Sequence, residues 1–252
     1  MVAGIETFKE WFQGYEDQYA IIGGTACDLL MSEEGIEFRA TKDIDLVLIV
    51  EAITPEFGKR FWEFVKNAGY EHCNKSTGRP QFYRFSKPAT RGYPFMIELF
   101  TRKMDAISLP EDADLTPLPM EEDVSSLSAI LLDDAYYQLL RNGTTVIDGV
   151  TVLDAEYLIP FKAKAWLDLT ERKEAGEKVD SKNIRKHKND VFRLTALLTQ
   201  DTKIAVSQTI LDDMQAFLSA MQSETVDVKQ LGLARSKENI LADLLRVYEL
   251  TK

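Results

Sequence analysis

The sequence is poor in the features that mark several protein classes. It has only two cysteines, Cys27 and Cys73. Far apart and without metal-ligand spacing, they read as reduced structural thiols rather than a disulfide framework or a zinc site. No apolar run approaches the roughly 20 residues a membrane-spanning helix needs. The N-terminal "MVAGIETFKEWF" lacks the basic-then-apolar order of a secretory signal. A cytoplasmic chain with no membrane partner is therefore expected. Positive charge is also scarce: 30 Lys and Arg against 41 Asp and Glu leave a net charge of −11. That argues against a surface coated for nucleic acid, although a local basic groove stays possible. No internal repeat or low-complexity tract occurs, and neither a P-loop nor a Gly-x-Gly-x-x-Gly pattern is present. The remaining composition, 252 residues of which 45% are hydrophobic and 28% charged, is that of one large soluble domain or two small ones.

Periodicity divides the chain in two. An amphipathic helix over 5–15 leads to a strand over 18–22, and Gly23-Gly24 punctuates before a short helix over 26–31, with Thr25 as its cap. A charged loop then feeds a strand over 43–50. A helix over 55–68 carries Phe61, Phe64 and Val65 at helical spacing. "PQFYRFS" and "YPFMIELF" read as an antiparallel hairpin, and the acidic "LPEDADLTPLPMEED" as a loop or boundary. "SLSAILL" reads as a strand, "DDAYYQLLRNG" as a short helix, and "TVIDGVTVL" as a tight hairpin turning on Asp148-Gly149. From Asp154 the pattern is helical, apart from the charged insert 173–183. The expected fold is α/β (α+β): a mixed sheet with flanking helices over 1–152, followed by a helical domain over 153–252 packed against it.

Two stretches carry chemistry. In "DIDLVLIV" side chains alternate, so Asp43 and Asp45 share a face, only about 6–7 Å apart. Carboxylates that close raise each other's pKa unless a cation lies between them, and Mg²⁺ prefers carboxylate oxygen while keeping places for phosphate. The plain alternative is a solvated strand end beside Lys42. In "AIIGGTACDLL", Gly23, Gly24 and Thr25 let backbone approach a ligand and expose helix N–H groups that favour phosphate oxygens; the plain alternative is an ordinary tight turn.

Together these stretches are more specific. An apolar strand, Gly-Gly-Thr, a helix, and Asp-x-Asp opening the next strand resemble the nucleotidyltransferase superfamily that includes DNA polymerase β. That superfamily carries a third acid on a neighbouring strand, a place that Glu98 of "FMIELF" would take, with an edge-strand acid facing water as the alternative. The long gap before Asp43, with Arg39 and Thr41 just ahead of the acid pair, is similar to the AbiEii/AbiGii toxin-type members. Those often have histidine before the arginine, where this chain has Phe38, and more often aspartate as the third acid. The resemblance covers residues 18–100 well and the helical half more loosely.

In that half, Leu158, Phe161, Ala165, Trp166 and Leu169 share one helix face, and Lys162 lies in its middle. A lysine in an apolar stripe must find an anion or snorkel outward. The toxin-type resemblance implies that Lys162 reaches nucleotide phosphates; Lys164 faces away and can pair with Asp168. "RKHKNDVFRLTALL" resembles the family's later basic helix, its cluster Arg185, Lys186, Lys188 and Arg193 being either a solvated face or a contact for a phosphate-bearing acceptor.

The resemblance thus implies an enzyme that moves an NMP from an NTP to a hydroxyl acceptor. Asp43, Asp45 and Glu98 would be both catalytic and ligands of Mg²⁺ (or Mn²⁺). Gly23, Gly24, Thr25, Arg39 and Lys162 would bind the nucleotide. The acceptor is RNA, such as a tRNA end, with a possible antitoxin partner, or a small hydroxylated molecule as in aminoglycoside-type relatives. A non-catalytic nucleotide-binding or interaction module is the alternative of a different class.

Overall fold

Short apolar runs buried on both faces become central strands, and three such runs set the first unit. A computed structural model of the chain describes residues 2–75, 81–101, 130, 131 and 133–250. It divides into two compact units, Met1–Met120 with Thr144–Asp154, and Glu121–Gly143 with Ala155–Lys252.

The first unit is built on a sheet of β1 (Tyr19–Ile22), β2 (Asp43–Leu48), β3 (Tyr70–Lys75), β4 (Gln81–Pro88), β5 (Met96–Thr101), β6 (Thr144–Ile147) and β7 (Val150–Leu153). Its order is β3-β4-β5-β2-β1-β7-β6. β1 runs antiparallel to β2 and parallel to β7, β2 runs parallel to β5, and the other neighbours are antiparallel. This is the expected mixed sheet. The Asp148-Gly149 turn of β6 and β7 has both residues at positive φ, 46° and 78°, as the tight two-residue hairpin requires. The β4–β5 hairpin carries an additional partner, β3. Its sequence, YEHCNK, has no apolar alternation, so pairing with β4 rather than its own pattern makes it a strand.

Helices α1 (Ile5–Phe12), α2 (Gly23–Glu33) and α3 (Pro55–Ala68) complete the unit. Thr54 caps α3, its hydroxyl accepting from the Phe57 N–H at 3.2 Å, with Pro55 at the first position and Gly69 closing the helix at φ 63°. Phe57, Phe61 and Phe64 fall on the inner face of α3 and meet Phe8, Phe12 and Tyr19, all fully buried. Each such ring contributes about 1.5–3 kcal/mol of burial free energy, so this aromatic layer holds α1 and α3 against β1.

The second unit is helical: α4 (Asp134–Asn142), α5 (Ala155–Glu174), α6 (Ser181–Leu194), a 3₁₀ turn (Thr195–Leu197), α7 (Gln208–Ser223) and α8 (Lys237–Val247). Asp133 caps α4 through the Ala135 N–H at 2.8 Å. Trp166 of α5 meets Phe217 of α7 edge-on, 5.5 Å between centroids.

One expectation is corrected here. Of "SLSAILL", the described residues Ile130 and Leu131 are helical, not extended; a short apolar run does not by itself separate a strand from a buried helix segment. The charged insert 173–183 does interrupt the helical pattern, with turn and coil over 175–180 between the end of α5 at Glu174 and the start of α6 at Ser181. The acidic stretch 109–123 lies outside the described residues. No helix among the described residues is long and apolar enough to cross a membrane.

Candidate functional site

The bend after β1 is where the two informative stretches meet. β1 ends at Ile22, whose backbone is extended, and α2 starts at Gly23 itself. Gly23 has φ +72°, and a Cβ there would stand 1.7 Å from Asp45 Oδ2. Only glycine fits, because the antiparallel register sets Ile22 opposite Asp45 and brings that carboxylate onto the next residue's backbone. At Gly24 a Cβ would meet Thr41 Cγ2 at 2.9 Å and Arg39 Nη2 at 3.1 Å. The diglycine therefore touches Asp45 on one side, Arg39 and Thr41 on the other.

Thr25 is not the cap of a helix starting at Ala26. The cap position is Ile22, with no side-chain cap, and Thr25 is already in the first turn, where its buried hydroxyl donates to the Asp43 carbonyl at 2.6 Å. The first carbonyl of β2 captures the hydroxyl, tying the start of α2 to the start of the acid-bearing strand.

Asp43 and Asp45 stand half-buried on β2. Parallel register puts Glu98 of β5 opposite Asp45, and antiparallel register puts Arg84 of β4 opposite Glu98. Asp45, Glu98 and Arg84 thus form a row across three strands. Arg84 donates to Glu98 Oε1 through Nε at 2.9 Å and Nη2 at 2.6 Å. Glu98 is 7% exposed, and burial, reinforced by the Asp45 charge, pushes its carboxyl up to about 8 against the pull of Arg84. The guanidinium favours the carboxylate; burial and Asp45 favour the neutral acid and outweigh it.

Arg84 was not singled out from the sequence. The signal was there: it is the lone charge in the apolar "FYRFS", and the hairpin register pairs it with the lone acid of "MIELF". Arg39 lies over the ring of Phe38, 5.0 Å from guanidinium carbon to centroid. Phe38 is thus a platform for the arginine.

Among the described residues no group of three or more His, Cys, Asp or Glu is arranged to hold a metal ion. The donor chemistry nevertheless fits one. Asp43 and Asp45 offer hard carboxylate oxygens, and the unfavourable charge between Asp45 and the buried Glu98 is what a divalent cation offsets. Thr41 Oγ1, beside Gly24, is buried with no hydrogen-bond partner among the described residues.

Lys162 belongs to the second unit. It is 4% exposed on α5, and its Nζ lies 3.5 Å from Oδ2 of the fully buried Asp190 on α6. The lysine in the apolar stripe has found its anion, one the sequence reading did not name. Lys164 points elsewhere, to Asp168 at 3.4 Å and Asp213 at 3.1 Å. The basic cluster on α6 is partly neutralised: Lys188 pairs with Glu224 at 2.5 Å and Arg193 approaches Asp190 at 3.7 Å.

No protein-family model and no curated protein matches the chain. It is similar to the solved structure of an antigenic nucleotidyltransferase-like protein from Paracoccidioides brasiliensis, with TM-score 0.44 and 17% identity over 91% of this chain and 84% of that one. It is also similar to the Megavirus polyadenylate synthase, with TM-score 0.42 and 14% identity over 88% of this chain and 36% of that one. A third similar structure is the antibiotic-resistance factor ANT(2'')-Ia, with TM-score 0.39 and 13% identity over 87% and 90% of the two chains. Matches this distant define no family, and the chemistry of the site has to be read from its own residues.

Proposed function

We propose that this chain is a Mg²⁺- or Mn²⁺-dependent nucleotidyltransferase that moves an NMP from an NTP to a hydroxyl acceptor. The observation that carries the reading is the contact of Asp45 with Gly23 at the bend, with Glu98 opposite Asp45 in register. It sets an acid cluster against the N-terminus of an 11-residue helix, α2, where free N–H groups and the helix dipole favour phosphate.

In this reading the backbone of Gly23, Gly24 and Thr25 takes phosphate oxygens, with Arg39, steadied by Phe38, supplying a guanidinium fork. Asp43 and Asp45 would hold the metal, with Glu98 as third acid. A divalent ion so bound supplies charge neutralisation for the phosphates and lowers the pKa of a coordinated hydroxyl. Glu98 would take the acceptor's proton only in its ionised form, which a bound divalent cation would favour against burial and the Asp45 charge. Its Arg84 partner holds the carboxyl oriented. Positioning and charge neutralisation provide most of the catalysis. Lys162 enters the nucleotide-binding set on the toxin-type resemblance alone, with its ammonium already paired to Asp190.

The acceptor in the toxin-type reading is RNA, with an antitoxin as neutralising partner; transfer to a small hydroxylated molecule uses the same donor half. The test is incubation of the chain and Mg²⁺ with each α-labelled NTP, with total RNA or an aminoglycoside as acceptor. Label on RNA, lost in Asp45→Asn, supports the toxin-type reading, and label on the aminoglycoside supports the small-molecule reading. Calorimetric NTP binding without transfer would replace the enzyme with a binding module.

A further inference from the structure

Facing turns of α5 and α6 flank an open cavity, about 520 Å³ in volume, lined entirely by residues of the helical unit. Its size is that of a small-molecule site. Trp166 and Thr170 from α5 line one side, one helical turn apart, and Ile184, Arg185 and Lys188 from α6 line the other.

Two features make this more than a solvated groove. Trp166 is 4% exposed, yet its indole Nε1 has no hydrogen-bond partner among the described residues, and Oγ1 of Thr170 is likewise buried and unpartnered. Buried donors are almost always satisfied, so an indole N–H and a hydroxyl left open beside one cavity call for an acceptor from outside. The cavity's cations are the second feature. Arg185 and Lys173 make no ion pair among the described residues; Lys173 donates only to the Ser181 hydroxyl, whereas Lys188 is matched by Glu224. In a chain of net charge −11, this cavity combines unpaired cations with unpaired donors and one further acid, Glu174.

We infer that this cavity between α5 and α6 binds a small phosphate-bearing ligand of mononucleotide size. Phosphate offers several acceptor oxygens around one centre, which suits a guanidinium fork, an ammonium, an indole N–H and a hydroxyl carried by residues that line one cavity from two helices. A carboxylate satisfies fewer of these donors. An apolar ligand leaves the cations and both buried donors unmatched. The inference does not depend on the acid cluster of the first unit.

The test uses the full-length, ¹⁵N-labelled chain. Its three tryptophans give three indole N–H resonances, and that of Trp166 is assigned by its loss in Trp166→Phe. Inorganic phosphate, AMP and acetate are titrated separately to millimolar concentration. The expected result is a saturable shift of the Trp166 resonance with phosphate and a tighter one with AMP, while Trp11 and Trp62 stay put. Arg185→Gln, a change at an exposed position, should weaken both by about tenfold. Asp45→Asn should leave the Trp166 response unchanged, separating this cavity from any nucleotide held by the first unit. A Trp166 resonance that stays still, moves equally with acetate, or responds undiminished in Arg185→Gln overturns the inference.

Discussion

Asp45 and Glu98 face each other across the parallel pairing of β2 and β5, one half-buried and the other almost wholly so. Burial and the Asp45 charge raise the Glu98 carboxyl from an ordinary 4.5 to about 8. A group whose folded-state pKa is raised favours folding most below its unfolded pKa, and that contribution is lost as pH rises through the folded value. With a chelator present, the melting temperature should therefore fall between about pH 5 and 8 more steeply than in Glu98→Gln. Thermal scans of both proteins across this range check it; parallel curves would mean that the Glu98 carboxyl is not raised in the folded chain.

Among the described residues Arg84 is the cation paired with Glu98, and both side chains of the pair are about nine-tenths buried. Arg84→Met removes it, and because Glu98 can answer by taking a proton, the loss should be moderate, about 1–3 kcal/mol. The double variant Arg84→Met/Glu98→Leu, which removes both polar ends, should recover part of that loss. Urea unfolding of the parent, Arg84→Met, Glu98→Leu and the double variant measures both. A double variant as damaged as the sum of its parts would show that the pair does not act as a unit.

The diglycine yields a ranking. Gly23→Ala must place a Cβ within 1.7 Å of Asp45 Oδ2 at a φ of +72°, so it should cost about 1–3 kcal/mol and displace the carboxylate. At Gly24 the nearest atoms are the Thr41 methyl and the flexible Arg39 guanidinium, at 2.9 and 3.1 Å, so Gly24→Ala should fold nearly normally and weaken NTP binding instead. Urea midpoints and calorimetric NTP titrations of the two variants separate the cases, and equal stability losses would contradict the geometry.

What was legible in the sequence was what a local pattern determines. The apolar strand before Gly23, the alternation that puts Asp43 and Asp45 on one face, the Phe spacing of α3 and the Asp-Gly hairpin each follow from a few neighbouring residues. The opposition of Glu98 to Asp45 is set by the parallel register of β2 and β5, which no local pattern determines; the family resemblance implied only a third acid on a neighbouring strand. Arg84 and Asp190 were missed because their meaning is only tertiary: each is a charge in a partly apolar element whose partner lies on another strand or helix. Thr25 was misassigned because a cap and a cross-strand donor look alike until the position of β2 is known. β3 left no pattern because its partner holds it extended.

Lys162 and Asp190 supply the last prediction. With 4% and 0% exposure, neither charge has water to turn to if its partner is removed. Asp190→Asn strands the ammonium and also deprives Arg193 of its contact at 3.7 Å, so it should cost about 3–5 kcal/mol. Lys162→Met leaves Asp190 with Arg193 and should cost less. The combination Lys162→Met/Asp190→Leu, which buries no charge, should lie closer to the parent than Asp190→Asn does. Urea unfolding gives the order. A nucleotide role for Lys162 adds an independent signature: Lys162→Met should weaken NTP binding more than the double variant's stability change explains. If calorimetry finds NTP affinity unchanged in Lys162→Met, the lysine is a structural ion-pair partner and nothing more.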